Sequence, residues 1–159
     1  MDKLDRSLQP DKKLAAVCGL FCPGCSLFIA THEEPARLDG LAARMGRTVD
    51  DLLCDGCRSD RQSFYCRSMC QMKACAKQKG VDFCGDCQDY PCETLKAFQK
   101  DHPHRLELWD SLEQIRARGW EAWFRDRSLH YACEKCGVLN SAYHPHCRAC
   151  GAVPPCAYV

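Results

Sequence analysis

Ten of the chain's sixteen cysteines stand in five C-x-x-C pairs, and that spacing most constrains what these 159 residues can fold into. A two-residue spacer lets both sulfurs approach one tetrahedral ion at about 2.3 Å. High cysteine content also occurs in exported, disulfide-framed proteins. Here the opening M-D-K-L-D-R-S-L-Q-P-D-K-K is charged and lacks the apolar centre of a secretion signal, and no apolar run approaches the roughly 20 residues of a membrane-spanning helix. The expectation is a cytoplasmic protein, without membrane association, whose thiols ligate metal.

The cysteines are unevenly placed: eleven between residues 18 and 92, none between 93 and 130, and five from 131 onward. This predicts a Cys-rich metal-binding domain over 15–100, a helical connector over 101–130 and a zinc ribbon over 131–159. The fold class that follows is small, metal-stabilised and mainly α with few short strands. It comprises a helical Cys-rich lobe, a helical hairpin and a C-terminal β zinc ribbon.

Helix signals fill the spaces between cysteines. Pro35 suits a first helical turn, Leu38, Leu41, Ala42 and Met45 recur at three- and four-residue steps, and Gly46 stops the pattern. Thr48 can cap a short turn whose Asp50 and Asp51 sit near a positive helix N-terminus. A further helix is expected around C-Q-M-K-A-C-A-K-Q-K, ended by Gly80, and another from Pro91 through E-T-L-K-A-F-Q-K. In the cysteine-free middle, Leu108, Leu112 and Ile115, flanked by Leu106 and Trp109, form a stripe of helical period ended by Gly119. Trp120, Trp123 and Phe124 open a second amphipathic segment and read as core. These helices are short and marginal alone, so metal binding coupled to folding is expected to hold them, and strong chelation to unfold the chain.

The strongest site signal is C-E-K-C-G at 133–137 with C-R-A-C-G at 147–151. Each glycine can take the positive-φ turn that a metal knuckle needs. Cys133, Cys136, Cys147 and Cys150 are predicted to close one zinc site, with V-L-N-S-A-Y between them as hairpin strand. His144 and His146 adjoin Cys147 but read as loop residues, because four cysteines complete the shell. Cys156 reads as a spare thiol in a tail.

Ligands in the N-terminal lobe can be grouped in two ways. Sequentially, Cys54, Cys57, Cys66 and Cys70 hold one ion and Cys75, Cys84, Cys87 and Cys92 a second, leaving Cys18, Cys22 and Cys25 as a trio in need of a fourth ligand such as His32. In the second group, Cys92 opens a helix whose dipole favours thiolate. In the crossed alternative, Cys22 and Cys25 join Cys54 and Cys57. Two to four zinc ions are implied, with an iron–sulfur cluster as the alternative cofactor, since thiolates hold both.

Several functions are disfavoured by the same residues. The C-x3-C-x2-C trio matches the spacing by which radical enzymes hold a cluster, but the chain lacks the length and strand–helix alternation of their barrel. No histidine is tied by the sequence to a nucleophilic thiol; His102, His104 and His130 read as surface residues. The formal charge is +1, and each four-thiolate zinc site adds about two negative charges, so general affinity for nucleic acid loses support. Arg116, Arg118, Arg125, Arg127, Lys135 and Arg148 near the ribbon could meet phosphates, but Glu107, Asp110, Glu113, Glu121, Asp126 and Glu134 share the region and suggest a mixed-charge face.

The chain resembles a family of short, cysteine-rich prokaryotic proteins classed only as a domain of unknown function. The resemblance rests on C-G-L-F-C-P-G-C, on C-D-G-C-R-S-D, and on C-Q-M-K-A-C-A-K-Q-K-G-V-D-F-C-G-D-C-Q-D-Y-P-C-E-T-L, across roughly residues 15 to 100. It implies that Cys18, Cys22, Cys25, Cys54, Cys57, Cys66, Cys70, Cys75, Cys84, Cys87 and Cys92 are the lobe's metal cysteines, and it implies no activity. The resulting expectation is a zinc-binding module of binding or regulatory character, with a protein or nucleic-acid partner, rather than an enzyme. The competing one is an iron–sulfur redox protein or cluster-dependent enzyme using the trio.

Overall fold

Helix starts and stops written in the sequence are used by the chain. The computed structural model describes residues 8–101 and 107–156. A 3-10 turn at Pro35–Arg37 leads into α2, Leu38–Met45, which follows α1, Ser26–His32. Gly46 ends α2 at φ 62°, a left-handed cap that a side chain would strain. Thr48 then caps α3, Val49–Leu52, with a reciprocal box: its hydroxyl accepts the Asp51 N–H at 3.2 Å while the Asp51 carboxylate accepts the Thr48 N–H. α4, Gln71–Lys79, stops at Gly80, and α5 spans Glu93–Asp101. α5 starts two residues after the expected Pro91, because the Cys92 carbonyl takes the Lys96 N–H at 3.1 Å and so makes Cys92 the cap.

The hairpin is α6, Glu107–Arg118, and α7, Trp120–His130, joined at Gly119. Trp123 and Phe124 are fully buried, as are Leu108 and Leu112 facing them. His102, His104 and Leu106 lie outside the described residues. The main core is made where this hairpin meets the segment following residue 14: Phe21 stacks on Tyr131 at 5.5 Å and meets Phe124 edge-on at 5.1 Å. The same segment threads the cysteine loops. The Val17 carbonyl accepts the Cys84 N–H at 2.8 Å, and Arg58 reaches the Ala15 carbonyl at 2.8 Å. Gly56 permits this threading, since a Cβ there would lie 2.6 Å from the Lys13 carbonyl oxygen.

Strand is nearly absent. Among the described residues the β-structure consists of isolated antiparallel bridges, Ala15 with Phe21 and Ala132 with Leu139. The expected β ribbon, with V-L-N-S-A-Y as a strand, is therefore not formed. Pairing there stops at one bridge, with the Cys133 N–H on the Val138 carbonyl and the Asn140 N–H on the Tyr131 carbonyl, both at 2.9 Å; the Asn140 side-chain amide adds bonds to the carbonyls of Val138 at 3.0 Å and Pro155 at 3.1 Å, and its oxygen accepts the Arg148 N–H at 2.9 Å. Polar ties hold the C-terminal unit to the lobe. Ser26 and Ser141 hydroxyls meet at 3.0 Å, Arg37 lies 2.7 Å from His144, and Arg148 pairs with Glu33. No helix of the described residues is long and apolar enough to cross a membrane.

Candidate metal centre

Two knuckles with identical local wiring build the C-terminal cluster. In the first, the Gly137 N–H returns to the Cys133 carbonyl at 2.8 Å and the Cys133 N–H reaches Val138; in the second, the Gly151 N–H returns to Cys147 at 2.9 Å and the Cys147 N–H reaches Ala152. Gly137 and Gly151 sit at φ 78° and 74°, as the positive-φ expectation requires. The four sulfurs of Cys133, Cys136, Cys147 and Cys150 all lie within 4.8 Å of one another, with Cys133 to Cys150 at 3.7 Å and Cys136 to Cys147 at 3.6 Å. Four sulfurs about 2.3 Å from one central ion stand about 3.8 Å apart along each tetrahedral edge. The cluster is therefore compatible with one bound metal ion.

Electrostatics point the same way. Burial pushes the Cys147 thiol up, but the N–H groups of Cys150 and Ala149 and the Asn140 amide outweigh it and bring the thiol down to about 6. Cys136 moves oppositely: its Val138 amide contact lowers it, yet burial and the three neighbouring sulfurs push it up to about 12. The Cys147 thiolate is thus favoured and the Cys136 thiolate disfavoured by the neighbouring sulfurs, a repulsion that a divalent cation removes. Asn140 and Arg148 support the shell from behind; the Asn140 amide lies 3.5 Å from the Cys147 sulfur and Arg148 donates to the Leu139 carbonyl at 2.7 Å. Sequence reasoning missed Asn140, whose only signal is a polar residue in an otherwise apolar V-L-N stretch.

The N-terminal thiols are placed nearby but less tightly. The Cys57 N–H donates to the Cys22 sulfur at 3.4 Å. Burial first, then the approach of Cys57, Cys25 and Cys54, raises the Cys22 thiol well above its ordinary value. Burial, then Cys57, Cys54 and Cys25, lifts Cys66 to about 12. The loops at 22–25 and 54–57 thus face each other, with Cys66 beside them. A second neighbourhood surrounds Cys84, pushed to about 12 by burial and then by Cys92, Cys75, Cys70 and Cys87. Among the described residues only the C-terminal quartet brings its donors within 4.8 Å of one another.

Other candidates take different places. Buried His144 accepts the Ser141 N–H through Nδ1 at 2.9 Å, and its Nε2 faces Arg37 and Glu34, so it braces the lobe contact. Its pKa is lowered by burial and by Arg37. His32 lies 3.1 Å from Asp55 and 3.2 Å from the Cys54 carbonyl. Cys156 is 1 % exposed and belongs to the main core, which corrects its reading as a tail thiol; the Asn140 bond to Pro155 draws that segment inward.

A cysteine-rich helical lobe carrying a four-thiol knuckle pair defines the class of the molecule. A family model described as Protein of unknown function (DUF3795) matches residues 14–97, just over half of the chain, and the chain belongs to that family. No curated protein and no solved structure matches the chain.

Proposed function

We propose that the chain is a zinc-held binding module rather than an enzyme, with Cys133, Cys136, Cys147 and Cys150 gripping one structural zinc ion. The observation that carries this reading is the pair of sulfur separations, 3.6 and 3.7 Å, close to the edge of a single-ion tetrahedron. Four thiolates leave no open coordination position, which fits a strut and not a catalytic metal.

In the N-terminal lobe the crossed grouping has the better support: Cys22 and Cys25 with Cys54 and Cys57 around one ion, Cys66 adjoining, and Cys75, Cys84, Cys87 and Cys92 around a second, with Cys70 between the two. Cys18 completes the family's cysteine set. Because these donors stand farther apart than those of the quartet, an iron–sulfur cluster is the second reading for this lobe alone.

Charge placement favours a partner other than nucleic acid. Arg116, Arg118 and Arg127 are paired with Glu113, Asp126, Glu107 and Asp110, and Arg148 with Glu33, so most of the basic residues near the cluster are already neutralised. Anaerobic purification followed by elemental analysis and a visible spectrum tests the reading. Colourless protein with at least one zinc per chain is expected; iron with thiolate-to-iron absorbance and no zinc would overturn it.

A further inference from the structure

We propose that the cavity between α1, α2 and the 142–143 loop is a binding site for a small amphipathic anion, an acid with an apolar or aromatic body. It encloses about 540 Å³, within the range that takes small organic ligands, and lies where the Cys-rich lobe meets the C-terminal unit.

Part of its wall is the outer edge of the α2 stripe, where Leu41 also touches the core. Leu38 and Ala42 turn inward to pack with Leu52. Leu41 and Met45, the other half of the same sequence stripe, line the cavity, and Met45 remains 44 % exposed. Tyr143 faces it from the opposite side and is 58 % exposed. Two of the few large apolar side chains at the surface are therefore on one cavity, where scattered singles are the norm.

Charge selects the occupant. Arg37 and Arg44 line the cavity seven residues apart, on one helical face with Leu41. Arg37 is held by Glu34 at 2.6 Å, whereas Arg44 makes no ion pair among the described residues. Glu107, the acidic residue of the lining, is paired with Arg127 at 2.9 Å and accepts hydrogen bonds from the Tyr131 hydroxyl at 2.6 Å and His130 at 2.8 Å, so its charge is already engaged away from α2. An apolar chamber with one uncompensated guanidinium at its edge suits a carboxylate or sulfonate attached to a hydrophobic body.

Titration of metal-replete full-length chain with anilinonaphthalene sulfonate, and with its uncharged analogue phenylnaphthylamine, tests the proposal. One saturable site is expected, with amide shifts confined to α1, α2 and the 142–143 loop. Arg44→Glu should weaken the anionic probe about tenfold or more and leave the neutral probe within about twofold; Met45→Glu should weaken both. Arg125→Glu, on the exposed face of α7, should weaken neither. Absence of binding, shifts mapping elsewhere, or equal losses from Arg44→Glu and Arg125→Glu would each overturn it, and the shift map on the unaltered chain requires no variant to fold.

Discussion

Glu107 shows how much a single residue can organise beyond what its sequence position announces. Its carboxylate meets Arg127 at 2.9 Å, His130 at 2.8 Å and the Tyr131 hydroxyl at 2.6 Å, joining the start of α6 to the end of α7. Burial would raise its pKa, but hydrogen bonds from His130 and Tyr131 and the Arg127 charge outweigh burial and hold it below the ordinary value. Removing the charge leaves a guanidinium that is 9 % exposed with Asp110 as its remaining anion, so Glu107→Gln is expected to cost about 2–3 kcal/mol, below the full penalty for a broken buried pair. A depressed carboxyl pKa stabilises the fold above the unfolded value and loses that contribution as pH falls through the folded one. Urea melts of the two proteins should therefore differ most at neutral pH and converge below about pH 4.5. A gap that stays constant with pH would contradict the assignment. Sequence alone marks Glu107 only as one of several acids in a mixed-charge stretch, because its partners are 20 or more residues away.

Among the elements, those with a clear start or stop signal were legible. α2, α3 and α4 follow from Pro35, Gly46, Thr48 and Gly80, and the hairpin from its apolar stripe and Gly119. α1 was not, since it follows Cys25 without a side-chain cap and its boundaries merge with the cysteine loop. Knuckle turns were legible from C-x-x-C-G; the extent of strand between them was not, because pairing stops at the Ala132–Leu139 bridge and side chains of Asn140 and Arg148 bind the loop beyond it. The same observation makes a prediction about this loop. Asn140→Ala removes the donor near the Cys147 sulfur and the amide bond to the Pro155 carbonyl, and competition with a chromophoric chelator should show metal affinity in the C-terminal site lowered about 10- to 100-fold. Unchanged affinity would mean that the knuckles hold their geometry unaided.

For the molecule as a whole, apolar burial is unevenly shared between the helices and the C-terminal unit. Phe21, Trp123, Phe124 and Tyr131 supply a core at the junction of lobe and hairpin, while the C-terminal unit's own apolar cluster is Cys133, Cys147 and Ala152, beside the buried polar side chains of Asn140, Ser141 and His144. That unit keeps its shape through turns, polar ties and convergent sulfurs, which is the arrangement in which metal binding and folding are linked. The sequence showed which cysteines belong to the C-terminal site because both pairs lie within eighteen residues. It left the N-terminal grouping open because loops far apart in the chain are brought face to face by packing around Val17 and Phe21.

A native mass spectrum, taken without chelator or oxidant on the full chain and on its Cys136→Ser/Cys150→Ser variant, tests the central claim most directly. The unaltered chain is expected to carry bound zinc and the variant one ion fewer. An unaltered chain with no metal, or two proteins with the same number of ions, would contradict it.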